Sequence, residues 1–171
     1  MSRLKLELKN ELLDIAIECA QAKQDWNHRV LEFCKELGAT GFRPCGHIAC
    51  GGYTACHLIF PDIEAGESVK GLRLVRQFEN EFEFKPNLRT KLGKGIFDKL
   101  SSFGPRPEKR KVFEYLGLPF PLEVGNSFYS PGMKADIPNK KVTLYWLTDY
   151  PAIDLNHSDI DFAGLEEDEV E

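Results

Sequence analysis

The chain has 171 residues, 42% hydrophobic and 29% charged, with a formal net charge of −5. That length and balance fit one globular domain with a sizeable core and exclude a disordered or fibrous chain. It contains no run of about 18 apolar residues, so no membrane-spanning helix is expected.

Residues 2–37 contain neither Gly nor Pro. An apolar pattern begins at Leu12, Leu13, Ile15 and Ile17 and resumes at Trp26, Val30, Phe33, Cys34 and Leu37. This predicts one long helix, or two separated near Gln21–Asp25, stopped by Gly38. The alternation of Leu4, Leu6 and Leu8 points instead to extended backbone at the start. The opening MSRLKLELKNELL lacks the apolar region of a signal peptide, and five cysteines are an odd number. The expectation is a cytoplasmic protein with reduced thiols.

Residues 38–52 are rich in turn formers. A strand is predicted at Tyr53–Phe60, stopped by Pro61. Apolar residues then fall at even positions (Leu72, Leu74, Phe78, Phe82, Phe84) and polar ones at odd positions. This is a strand signal that a bend at Glu79–Asn80 would split. Asn87 is a candidate cap for a helix to about Phe103, with Leu88, Leu92, Ile96, Leu100 and Phe103 as its core stripe. Pro107 suits the first position of a second helix ending near Leu116. Residues 117–132 hold three glycines and three prolines and read as a shaped loop, and Lys134–Ile137 with Val142–Thr148 read as a hairpin. From Asp149 onward there are nine carboxylates and no Lys or Arg. The expected fold is α+β: a long N-terminal helical segment, an antiparallel sheet of about four strands and a basic helical pair. Residues 1–150 would form a single domain and 151–171 an acidic C-terminal tail.

Charge is the most informative feature. Residues 84–111 hold nine Lys/Arg against Asp98 and Glu108, a local charge of +7, so the other 143 residues carry −12. Helical geometry disperses Arg89, Lys91, Lys94 and Lys99. Arg106, Lys109, Arg110 and Lys111 remain clustered at the expected start of a helix, whose free N–H groups would add to their pull on an anion. Their counter-charge is either the chain's own acidic tail or an external partner. The loop Pro119–Gly132 displays Phe120, Phe128 and Tyr129, and a Pro-stiffened aromatic loop loses little entropy on binding.

Cys45, His47 and Cys50 could share a zinc ion, although C-x4-C is not the usual knuckle spacing. Cys56 and His57 would point to opposite faces of a strand, with Cys56 in the core beside Leu58 and Phe60. Cys50, before Gly51-Gly52, could act as a nucleophile with His47 or His57 as its base. Asp149, Asp154, Asp159 and Asp161 lack the order of an EF-hand loop. No motif matches a phosphate-binding loop or a zinc deaminase.

The function expected is that of a non-enzymatic cytosolic binding or inhibitory protein, such as an accessory protein of a phage or mobile element. It would hold an acidic protein partner through Arg106, Lys109, Arg110 and Lys111 with Phe128 and Tyr129, and would need no cofactor. The first alternative is a nucleic-acid- or phosphate-binding protein using residues 84–111. The second is a Cys/His-dependent enzyme or a zinc protein.

Overall fold

In the computed structural model, which describes residues 2–47, 52–61 and 69–167, the alternation of Leu4, Leu6 and Leu8 forms a strand, β1 (Ser2–Leu8). Leu6 and Leu8 are buried. The helix starts only at Asn10, which takes a left-handed φ of 55°, a region Asn enters more readily than most residues. It then runs unbroken through Gln21–Asp25 as α1 (Asn10–Glu36). At 1.5 Å per residue it is about 40 Å long.

The remaining elements are β2 (Gly41–His47), β3 (Gly52–Pro61), β4 (Leu72–Phe78), β5 (Glu81–Pro86), α2 (Lys91–Ser102), α3 (Arg110–Tyr115), β6 (Leu122–Val124), β7 (Ser127–Tyr129), β8 (Gly132–Asp136), β9 (Lys141–Leu147) and β10 (Ile160–Glu167). The fold is α+β, as expected. The strands exceed the four expected: among the described residues they form two antiparallel four-stranded sheets, β10-β1-β9-β8 and β2-β3-β5-β4, and a hairpin, β6-β7. The chain divides into two units, Met1–Ala22 with Glu108–Glu171, and Lys23–Pro107. No boundary falls at residue 150, because β10, which lies within the expected acidic tail, pairs with β1 over its whole length.

In the first unit, Leu12, Ala16 and Cys19 of α1 share a core with Leu6, Leu8, Val112, Phe113, Leu122, Val142, Leu144, Trp146 and Ile160. Trp146 alternates with Val142 and Leu144 on the buried face of β9, and its indole N–H donates to the carbonyl of Pro151 at 3.0 Å. The region 117–132 is hairpin as much as loop. β6 and β7 meet at a two-residue turn in which Gly125 takes φ 62°, the conformation a first-position glycine supplies in a hairpin turn.

In the second unit, Trp26, Val30 and Cys34 of α1 pack with Leu58, Phe60, Leu72, Phe82, Phe84, Ile96 and Leu100. Trp26 donates to the carbonyl of Gly104 and meets the Phe42 ring edge-on at 5.6 Å. The even-numbered stripe does split where expected, at Glu79, which takes φ 50°. β2 was hidden in sequence by Pro44 and Gly46, residues tolerated because it is an edge strand.

Helix α2 departs from its expected frame. Thr90 is the cap, its hydroxyl accepting from the Gly93 N–H at 2.9 Å, while the Asn87 carbonyl accepts from Thr90. Leu88 and Leu92 are 51% and 50% exposed, and the buried face is Gly93, Ile96 and Leu100. The cause is steric. A Cβ at Gly93 would stand 1.9 Å from the Asn87 carbonyl oxygen and 2.7 Å from that of Gly71, so the helix seats its bare backbone there. Gly95, two residues on, would meet nothing within 4 Å.

These two glycines should respond oppositely to the same change. Gly93→Ala is expected to lower stability by about 3 kcal/mol or more, because backbone atoms cannot give way. Gly95→Ala is expected to raise it by about 0.5–1 kcal/mol through helix propensity. Urea unfolding of both variants measures the pair, and equal effects would refute the packing described.

Candidate functional site

The four clustered cations divide between the units. Arg106 lies in the second, where its backbone N–H donates to the Tyr53 carbonyl and its guanidinium stands 4.7 Å from the Tyr53 ring centroid. Pro105 bridges to Thr54 of β3. This pairing holds residues 105 and 106 extended, so no helix starts at Pro107. Helix α3 begins at Arg110, spans six residues, and its N-cap Lys109 makes no side-chain cap bond. The helix start thus shifts from Pro107 to Arg110, and Arg106 no longer adjoins it.

Lys109, Arg110 and Lys111 lie in the first unit, beside the aromatic loop. The Lys109 ammonium and Arg110 guanidinium stand 5.9 and 5.4 Å from the Phe120 ring centroid, distances at which cations feel the ring face. Arg110 Nη1 also donates to the Phe120 carbonyl at 3.2 Å, and Phe120 leans on buried Phe113. Two residues later Leu122 pairs with Tyr129, and Glu123 with Phe128. Phe128 and Tyr129 remain 46% and 41% exposed. The two features singled out separately in the sequence thus meet at Phe120, whose role as the seat for both cations carries no sequence signal.

Three described acids of the C-terminal stretch are engaged elsewhere. Asp161 pairs with Lys9 at 2.7 Å and Glu166 with Arg3 at 4.0 Å. Asp159 is only 6% exposed, yet it is fully partnered. Tyr115 donates its hydroxyl at 2.5 Å, Asn10 its amide at 3.1 Å, and the Asp159 N–H donates to His157 Nδ1. The Tyr115 bond, then the Asn10 bond, hold this carboxyl below its ordinary value of 3.8, and the same bond pushes Tyr115 up to about 12. Asp159 is a structural joint between the start of α1, the end of α3 and the entry to β10.

The Cys/His cluster is rearranged by a bulge. Arg43 pairs with His57 but Pro44 with Ala55, leaving Cys56 as the extra residue. Cys56 therefore leaves the core, where Ala55 takes its place, and it bonds to Cys45 across strands whose Cα atoms are 5.9 Å apart. A Cys45 ligand for zinc and a fully reduced set of thiols are both overturned by that bridge. His57 contacts the Glu83 carboxylate, which Arg43 also approaches at 3.6 Å. Cys50 lies outside the described residues, as does the side chain of His47, so the nucleophile and base pairing has no geometry here. Among the described residues no group of three or more His, Cys, Asp or Glu could hold a metal ion. Cys19 and Cys34 are buried thiols. Burial raises both, Cys34 to about 11.

No helix of the described residues is long and apolar enough to cross a membrane. The chain matches no protein-family model, no curated protein and no solved structure.

Two measurements follow from these groups. Because Asp159 is depressed in the fold, its contribution is complete above the ordinary carboxyl value of 3.8 and is lost as pH falls below it. The urea midpoint of Asp159→Asn should therefore fall less steeply than wild type below about pH 4; identical slopes would refute the joint. Native protein at pH 8 should leave Cys19 and Cys34 unlabelled by maleimide until it is unfolded, and a non-reducing digest should yield the Cys45–Cys56 linked peptide.

Proposed function

We propose that the chain is a non-enzymatic binding protein of inhibitory type, which docks an acidic protein surface through the basic–aromatic face of its first unit. Lys109, Arg110 and Lys111 supply the charge, and Phe128 and Tyr129 supply the apolar anchors. Arg106, in the other unit, is left out of this surface. The observation that carries the reading is the convergence on Phe120: two cations held against one ring, on the loop that leads into a short hairpin exposing two further aromatics. Aromatic residues and Arg are the side chains that most often dominate binding energy at protein interfaces. Holding the cations against the ring reduces the side-chain entropy they lose on docking.

The acidic stretch supports an external partner as well. Three of its described carboxylates, Asp159, Asp161 and Glu166, are engaged by Tyr115, Asn10, Lys9 and Arg3 and not by the basic cluster. A cytosolic setting belongs to this reading through the buried thiols Cys19 and Cys34, whereas the Cys45–Cys56 bridge argues for an oxidising compartment.

The test is binding of wild type and of a Lys109→Glu, Arg110→Glu, Lys111→Glu, Phe128→Ala, Tyr129→Ala variant to the purified partner, identified first by co-purification from the native cell. Loss of two or more hot spots should weaken the dissociation constant at least about 100-fold, and salt should slow association to the wild type more than to the variant. Unchanged affinity would sink the proposal.

A further inference from the structure

The second unit holds a further concentration of positive charge, in which Lys85 and Arg89 of the basic segment 84–111 meet Arg73 from outside it. A cavity of about 550 Å³ is lined by Arg73, Lys85, Pro86, Asn87, Leu88 and Arg89. Three of these residues are cations, and no carboxylate occurs among the described lining residues. Arg73 and Lys85 are direct partners in the antiparallel register of β4 and β5. Like charges placed directly opposite destabilise a sheet. Among the described residues no ion pair involves Arg73, Lys85 or Arg89, so the described chain does not offset that repulsion with an acid of its own.

The cavity is also shaped before anything enters it. Asn87 donates its N–H to the Gly71 carbonyl at 2.8 Å, and its side-chain oxygen accepts from the Arg89 N–H at 3.1 Å. These bonds fix the turn that carries Arg89 beside the strand pair. Pro86 is buried and Leu88 is half exposed, giving the cavity an apolar wall next to its charged one.

From this arrangement we infer that the cavity binds a small phosphate-bearing ligand of nucleotide size. Arg73, Lys85 and Arg89 would take the phosphate group, and Pro86 and Leu88 the planar or apolar body attached to it. Three cations lining one cavity suit a multiply charged oxyanion better than a single carboxylate, and two guanidinium forks match phosphate oxygens in pairs. The volume falls within the range of small-molecule sites, and the mixture of an apolar wall with a few convergent polar groups is characteristic of them. The inference is independent of the basic–aromatic face, because it uses no residue of the first unit.

Calorimetric titration of the full chain tests it, with pyrophosphate, tripolyphosphate, ATP and an oligothymidylate lacking terminal phosphates as probes. Pyrophosphate should bind at low salt where sodium chloride of equal ionic strength produces no heat. Arg73→Gln, Lys85→Gln and Arg89→Gln should each weaken it about tenfold. ATP should bind more tightly than tripolyphosphate, by virtue of the apolar wall. Arg89→Gln lies on a turn and serves if either strand variant fails to fold; Lys134→Gln, on the other unit, is the unaffected control. The inference is overturned if pyrophosphate binds no better than chloride, if Arg89→Gln retains wild-type affinity, if ATP and tripolyphosphate bind equally, or if only the oligonucleotide binds. Partner binding that survives Arg89→Gln would separate this cavity from the protein-docking face.

Discussion

The structure depends on one helix supplying the buried faces of two cores. Leu12, Ala16 and Cys19 lie three or four residues apart and enter the first core; Trp26, Val30 and Cys34, spaced by four, enter the second. Buried side chains the size of Leu or Val contribute roughly 1.5–3 kcal/mol each. A few such residues are a large fraction of the roughly 5–15 kcal/mol by which a domain is stable. One unbroken helix from Asn10 to Glu36 contributes side chains to both cores. The absence of Gly and Pro from residues 2–37 is what that continuity requires.

Within the first unit, Asp159 performs a comparable task with polar chemistry. A buried carboxylate is costly unless its oxygens are occupied, and here a phenol and an amide occupy them. Both donors come from residues remote in sequence, one at the start of α1 and one at the end of α3. Closing β10 onto β1 thus also fixes two helix ends. A run of acids that composition marks as solvated tail becomes partly an edge strand, with its outward charges facing Lys9 and Arg3.

The cations follow a different logic. On the first unit Lys109 and Arg110 are held against an aromatic ring, which stabilises their charge without neutralising it. On the second, Arg73 and Lys85 are forced opposite each other by strand register, which raises the electrostatic cost of the fold. In each case the cations stand beside groups that do not carry a negative charge: the Phe120 ring in one and each other in the other. The two places differ in what surrounds the charge, exposed aromatics in one and a bounded cavity in the other. That difference is why different partners are assigned to them.

Much of this was legible in the sequence wherever the physics is local. The period-two stripe located β4 and β5, the leucine alternation hinted at β1, the helical spacing and missing breakers allowed α1 as one helix or two, and the hairpin reading of Lys134–Ile137 with Val142–Thr148 anticipated β8 and β9. Charge counting found the basic segment, and Phe128 and Tyr129 stood out beside it. What the tertiary structure alone decided involves partners far apart in the chain. The bulge opposite Arg43 and Pro44 moved Cys56 out of the core and onto Cys45. The close approach of Gly71 and Asn87 to Gly93 turned α2 away from its leucines. Pairing of residues 105 and 106 with β3 shortened α3, and register set Arg73 against Lys85. Periodicity and composition report how a segment meets water; which backbone or charge it meets instead is fixed only when distant segments pack together.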